Sequence, residues 1–197
     1  MKKRIIFATG NQGKMKEIKE ILKDLDYEIV SMKEAGFNPD IDENGSTFEE
    51  NALIKARTIM KLSNEPAMAD DSGLEVDYMD KQPGIYSARF LGEDTSYDIK
   101  NKYILDKLAG VPDEKRTARF VCAIACVFPN GREIVKRAAV EGIIGHEIKG
   151  ENGFGYDPIF YVPKYQKTTA ELTMEQKNEI SHRAKALRAV EEELKAD

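Results

Sequence analysis

Four short stretches of this chain carry residue types that do chemistry. The first is Thr9-Gly10-Asn11-Gln12-Gly13-Lys14. The apolar run Ile5-Ile6-Phe7-Ala8 stops there and a helical pattern begins. A strand, a glycine loop and a helix in that order offer backbone amides and a positive dipole end to an anion. Gly10 and Gly13 let the backbone come close. Thr9 and Asn11 offer side-chain donors, and Lys14 adds a full charge. The spacing matches neither G-x-x-x-x-G-K-[ST] nor G-x-G-x-x-G. The stretch therefore reads as an unconventional phosphate cradle or as a plain strand-to-helix turn.

The second stretch is Asp70-Asp71-Ser72-Gly73, after the short apolar strand Pro66-Ala-Met-Ala69. Its carboxylates stand at a strand's C-terminal end, where α/β sites gather. Adjacent carboxylates repel, and Mg²⁺, a hard cation that prefers oxygen ligands, would relieve them. Asp42 and Glu43, in a Gly-flanked loop before the second helix, are placed to reach the same metal. A solvated turn with an Asx motif is the other reading of Asp70 to Gly73, and in isolation a solvated acidic loop is the better reading of Asp42 and Glu43. The third stretch, Gly153-Phe154-Gly155-Tyr156-Asp157-Pro158, sets two aromatics on a glycine-hinged loop. Such rings can stack on a base, and Asp157 can accept from a base edge or orient a cation. A tight turn with its aromatics packed inside is the other reading. The fourth is Lys177 with Ser181-His182-Arg183 on the last helix. Arg offers a forked pair of donors to an acceptor edge and Lys a point charge, unless this is a solvated helix face. His146 receives no role. A carboxylate base, a hard metal and lysines suit hydrolysis of a phosphoanhydride. No Ser/His/Asp nucleophile set and no Cys/His metal spacing is evident.

The elements that must position these residues can be read from periodicity. Strand Arg4–Ala8 leads into a helix from about Gly13 to Asp24, with Met15, Ile18, Ile21, Leu22 and Leu25 as its apolar stripe. A short strand covers Glu28–Ser31. Ser46-Thr-Phe-Glu49 reads as a capping box opening the second helix. That helix buries Phe48, Ala52, Ala56, Ile59 and Met60 and carries Asn51 and Lys55 on a more polar face. LEVDYM is a further short strand, and a third helix spans Ser96 to Leu108. Strands Thr117–Phe128 and Arg132–Gly142 flank the hairpin signal Pro129-Asn130-Gly131. The first of these is apolar on both faces, hence central. A short strand at Pro158–Tyr161 and one helix from Met174 to Lys195 complete the chain. The order gives a mixed α/β fold.

The chain has 197 residues, 41% of them hydrophobic, so it reads as one domain, 1–197, with a real core. A net charge of −5 argues against wrapping nucleic acid by bulk electrostatics. Both cysteines, Cys122 and Cys126, fall in the run ARFVCAIACVF and read as core residues in a reducing compartment. Met1-Lys-Lys-Arg is followed by only four apolar residues, too few for a signal's apolar core. A cytoplasmic protein is expected.

The order of Thr9-Gly-Asn-x-x-Lys14, Asp71-Ser72-Gly73, Pro83-Gly-Ile-Tyr-Ser-Ala-Arg89, Phe154-Gly-Tyr-Asp-Pro158 and Ser181-His-Arg183 closely resembles the inosine triphosphate pyrophosphatase family. The resemblance covers nearly the whole chain. It implies a long mixed sheet with helices, forming two lobes around a nucleotide cleft. It also implies a Mg²⁺-dependent homodimer that splits ITP, dITP or XTP between the α and β phosphates. Carried over by motif, Thr9 to Lys14 would cradle the triphosphate. Asp71 would activate water and help hold Mg²⁺, with Asp70 beside it, and Ser72 would touch substrate. The place of the family's metal-linked Glu, counted back from Gly45, falls on Asp42 with Glu43 adjacent. Lys55 is a candidate for stabilising phosphate charge. Phe154 would stack on the base within the Gly155-Tyr156-Asp157 turn, and Lys177, His182 and Arg183 would read its edge. The alternatives are a Maf-like pyrophosphatase for other modified nucleotides and a non-hydrolysing nucleotide sensor.

Overall fold

The opening apolar run becomes β1 (Lys3–Phe7), which pairs in parallel with β2 (Tyr27–Ser31), Ile5 opposite Ile29. It also pairs in parallel with β3 (Ala67–Val76), Phe7 opposite Met68. Parallel neighbours need crossover connections. These are α1 (Gln12–Ile21) between β1 and β2, and α2 (Phe48–Ser63) between β2 and β3. The computed structural model describes residues 3–196. The remaining strands are β4 (Gln82–Pro83), β5 (Thr117–Val127), β6 (Glu133–Ile144), β7 (Phe160–Val162) and β8 (Lys167–Thr168). α3 (Tyr97–Lys107) precedes β5, and α4 (Met174–Ile180) and α5 (His182–Lys195) end the chain. One eight-stranded sheet runs β2-β1-β3-β5-β6-β7-β8, with β4 paired to β3. β3–β4, β6–β7 and β7–β8 are antiparallel. The expected mixed sheet with flanking helices is thus what forms.

The chain divides into two compact units. The first holds residues up to Asp71, Cys122–Ala138 and the chain from His182 onward. Its core packs Ile5, Phe7 and Met68 of the sheet against Ile18 and Leu22 of α1 and Leu187 of α5. Cys122 and Cys126 lie inside this core, and burial pushes the Cys126 thiol up to about 12, so it stays protonated and inert. The second unit holds Ser72–Val121 and Ala139–Ser181. Its core joins Leu74 and Val76 to Ile104 and Leu108 of α3 and to Phe120 and Phe160.

Four local expectations are corrected. The acidic tetrad is not a turn between two strands, because β3 runs through it unbroken from Ala67 to Val76. Each carboxylate finds cations on its own face of the strand, which lets the sheet keep them. The second helix is capped one residue later, by Thr47, whose Oγ1 accepts from Glu50 N–H at 3.1 Å. Glu50 in turn accepts from Ser46 N–H and Oγ–H. Both frames fit the same S/T-x-x-E pattern, so spacing could not separate them. Asn51 is buried rather than on a polar face. Finally, the last helix is two helices. Ser181 sits at φ −63°, ψ 149°, extended backbone between α4 and α5. Ser favours helix boundaries because its side chain competes for backbone hydrogen bonds.

Candidate active site

In the first unit, β3 delivers Asp70 and Asp71 to opposite faces, as successive strand residues must be. Asp70 shares the face of Met68, toward α1 and α5. Lys14 Nζ lies 3.1 Å from Asp70 Oδ2, and Arg183 Nε lies 3.5 Å from the same oxygen. The Arg183 guanidinium also pairs with Glu17 of α1. Burial opposes the charge on Arg183, but Asp70 and Glu17 outweigh it and raise the guanidinium's pKa further. Glu17, Asp70 and Arg183 are all buried. Lys14 reaches them because Asn11 caps α1, its Oδ1 accepting from Lys14 N–H at 3.0 Å. Thr9 Oγ1 accepts from Asn11 N–H and so shapes the loop. Gly10 lies in this loop, and Gln12 and Gly13 form the first turn of α1.

Asp71 faces α2. Lys55 Nζ lies 2.8 Å from Glu43 Oε1 and 3.6 Å from Asp71 Oδ1. Burial would lower the Lys55 pKa, but Asp70, Asp71 and Glu43 together raise it, so the ammonium stays charged. Asp71 is only 7% exposed. Burial lifts its carboxyl to about 6, with Glu43 and Asp70 adding and Lys55 and Lys14 opposing. Its Oδ2 is buried and has no hydrogen-bond partner among the described residues. The acidic loop is held to α2 by Asn51, whose Oδ1 accepts from Gly45 N–H at 2.8 Å. That tether brings Glu43 to Lys55. Asp42 instead is exposed and accepts from Asn44.

An open, deprotonatable carboxylate oxygen suits a hard divalent cation, and Asp71 with Glu43 would hold it. Among the described residues no cluster of three or more His, Cys, Asp or Glu assembles. A cation here would draw the rest of its oxygens from a phosphate substrate and water.

In the second unit, Asp157 is the centre. Its Oδ2 accepts from Lys177 Nζ at 2.6 Å and from Phe154 N–H at 2.9 Å, and its Oδ1 accepts from Thr169 Oγ1 at 2.7 Å. These three bonds engage the carboxylate and fix the Lys177 ammonium beside it. Lys177 Nζ also lies 4.9 Å from the centre of the half-buried Phe154 ring. Gly153 at φ +72° permits the approach, since a β-carbon there would meet Asp157 Oδ2 at 2.2 Å. Tyr156 belongs to the core. Its hydroxyl donates to Ser87 O at 2.6 Å, and its ring meets Tyr97 edge-on at 5.2 Å. Gly155, between the two aromatics, sits at φ +65°. Ser72 is half-buried in β3, and His182 is buried in the first turn of α5, in the first unit.

Three residues escaped sequence reasoning: Glu17, Asn101 and Thr169. Glu17 left a faint signal, a carboxylate one turn from Lys14 on α1 beside the core residue Ile18. The others are polar residues whose partners lie far along the chain or on a loop of unpredictable course.

A mixed α/β fold with carboxylates and lysines gathered at a strand, a glycine loop and a helix start defines an anion-handling protein of the phosphate-binding kind. The Ham1 family model matches residues 5–193, and the chain belongs to that family. It is 50% identical over 191 residues to a dITP/XTP pyrophosphatase of Desulforamulus reducens, covering 97% of this chain and 95% of the relative. It is 47% identical over 194 residues to a dITP/XTP pyrophosphatase of Bacillus subtilis, covering 98% of each. The Ham1 protein of Staphylococcus aureus superposes with a TM-score of 0.87 at 44% identity, over 98% of this chain and 99% of that one. A HAM1 protein from Coxiella burnetii gives 0.89 at 41%, over 99% and 100%. The family expected from the motifs is the one found.

Proposed function

We propose that this protein is a nucleoside triphosphate pyrophosphohydrolase that removes the non-standard purine nucleotides ITP, dITP and XTP. The observation that carries the reading is the buried Asp71 carboxylate, one oxygen facing Lys55 and the other without a partner among the described residues. A carboxylate placed this way is available to take a proton from water. Asp71 accepts a proton from water as the water oxygen bonds to the α-phosphorus. The bond from that phosphorus to the bridging oxygen breaks, and pyrophosphate leaves with the nucleoside monophosphate as the other product. Lys14 and Lys55 offset the negative charge that builds on the phosphates. Asp71 and Glu43 would hold Mg²⁺, which would supply Lewis-acid neutralisation of the same charge. The names carried by close relatives support both the substrate class and the pyrophosphate product.

The base falls to the second unit's cluster, with Phe154 as the stacking face and Lys177, fixed by Asp157, as donor. Hypoxanthine and xanthine carry an oxo group at C6 where adenine carries an amine. A donor array leaves adenine facing donor against donor, and an unsatisfied buried polar group costs about 1–3 kcal/mol.

The working form is a cytoplasmic homodimer. Tyr78, Tyr86, Leu91 and Ile99, all in the second unit, keep 43–57% of their surface exposed, and such apolar surface suits a partner copy. No helix among the described residues is long and apolar enough to cross a membrane.

The test is a product assay on ITP, XTP, dITP, GTP and ATP with and without Mg²⁺, separating pyrophosphate from orthophosphate. Mg²⁺-dependent pyrophosphate from the first three, with little from GTP or ATP, is expected. Orthophosphate would overturn the bond assignment. Binding without any product would favour a sensor, and turnover of modified pyrimidine nucleotides alone would favour the Maf-like reading.

A further inference from the structure

Asn101 stands in the middle of α3, 1% exposed, on the helix face that buries Ile104 and Leu108 in the second core. Its Nδ2 donates to the Gly155 carbonyl at 3.1 Å. Its Oδ1 is buried and has no hydrogen-bond partner among the described residues. On packing grounds this is a poor choice. A leucine would fill similar space with no polar group to desolvate, whereas a buried amide with an unpaired acceptor is a net cost. The donated bond must therefore do something that apolar packing cannot.

What it holds is the peptide between Gly155 and Tyr156, one link beyond Phe154. Gly155 is in the left-handed region, φ +65°, where a glycine is free to swing through neighbouring conformations. On the near side, the Phe154 N–H is tied to Asp157 Oδ2. On the far side, Tyr156 is locked by its hydroxyl bond to Ser87 O and its edge contact with Tyr97. Between those anchors the Phe154 carbonyl accepts from Asp157 N–H at 3.3 Å, and the Asn101 bond fixes the Gly155 carbonyl. The Asn101 bond thus ties the C-terminal side of the loop that carries Phe154 to α3. α3 contributes a second tether from the preceding residue, since Lys100 Nζ donates to Ala88 O at 2.6 Å.

We infer that Asn101 is a positioning residue for base recognition: it holds the Gly155–Tyr156 peptide of the loop that presents Phe154, the face on which the purine stacks. The inference rests on the reading of Phe154 as the base platform. Asn101 lies with Phe154 in the second unit, whereas Lys14 and Asp71 lie in the first, so base binding can be measured apart from phosphate handling.

The experiment measures binding of IMP and of pyrophosphate separately, by calorimetry with Mg²⁺, to the full chain and to Asn101→Leu, Asn101→Asp, Phe154→Ala and the Asn101→Leu/Phe154→Ala double variant. Steady-state kinetics on ITP accompany it. Asn101→Leu should weaken IMP and raise the KM for ITP about five- to tenfold, the size of one net hydrogen bond. The kcat should stay within about twofold, and pyrophosphate affinity should not change. Asn101→Asp, of equal shape but without the donor, should match it. The double variant should bind IMP no more weakly than Phe154→Ala alone, since both act on one platform. Equal weakening of IMP and pyrophosphate would reduce Asn101 to a general structural residue. Full IMP affinity in Asn101→Leu alongside a loss in Phe154→Ala would overturn the inference and leave the platform standing. Full IMP affinity in Phe154→Ala would take down the platform and the inference together. Should the Asn101 variants fail to fold, nitrogen-detected NMR of the wild type decides. The Asn101 side-chain amide should shift on adding IMP and not pyrophosphate, and no shift with IMP would overturn the inference.

Discussion

Replacing Asp71 by Asn should make the metal-free protein more stable at neutral pH while removing its turnover. The carboxyl titrates near 3.8 when unfolded and at about 6 in the fold, chiefly because burial penalises its charge. A raised folded pKa means that the fold loses stability as pH rises. Below 3.8 both states are protonated and nothing is lost. Between 3.8 and 6 the unfolded chain ionises first, and above 6 the whole penalty is present. The gap between the two titration points corresponds to about 3 kcal/mol. Asn carries no charge at any pH, so it escapes the penalty. The variant should gain about 2–3 kcal/mol at pH 8, about 1.5 at pH 5 and less than about 1 at pH 4. For a chain of this size that is a rise of about 4–10 °C in Tm at pH 8. The assay is urea unfolding in the presence of a chelator at the three pH values, followed by turnover of ITP with Mg²⁺. Loss of the base should lower kcat at least about 100-fold. A gain that does not change with pH, or no gain at pH 8, would refute the desolvation argument. Near-normal turnover would remove Asp71 from the mechanism.

Three further perturbations test neighbouring parts of the structure. Glu17→Gln takes one of two carboxylates, Glu17 and Asp70, away from the buried Arg183 guanidinium and should cost about 3 kcal/mol, the lower end for a broken buried pair; an unchanged urea midpoint would mean that the pair contributes nothing. Gly153→Ala places a β-carbon 2.2 Å from Asp157 Oδ2 at φ +72°, so IMP affinity should fall at least about tenfold, whereas pyrophosphate titrations should overlay the wild type. Ile99→Glu puts a charge on the exposed apolar surface of α3 and should halve the mass measured by light scattering; a dimer that persists would move the interface elsewhere.

Much of the candidate site was legible because its signals are local. Thr9 to Lys14 is a contiguous loop, and Asn11 and Lys14 are tied by a bond three residues long. Phe154 and Asp157 are likewise joined within one turn. The pairings between these residues span long stretches of chain, and spacing does not reveal who meets whom. Lys177 meets Asp157 across twenty residues, and Arg183 meets Glu17 across 166. The reading of Asp70 and Asp71 as a repelling pair holds in that Asp70 still pushes the Asp71 carboxyl up, but it missed their placement for a related reason. It assumed a turn, where adjacent side chains converge, whereas the strand sends them to opposite faces and gives each its own lysine. Asp42 and Glu43 were indistinguishable by spacing, and the Asn51 tether to Gly45 is what turns Glu43 toward Lys55.

The order of residues was thus enough for the class of the fold, the family and the inventory of chemical groups. Apolar periodicity and turn residues act over a few positions, and the order of motifs is a property of the chain alone. Packing settled which carboxylate stays open and titratable, which lysine serves which acid, and where the last helix breaks. Those outcomes depend on desolvation and on charges brought within 4 Å of one another, and no residue carries either property until its neighbours close around it.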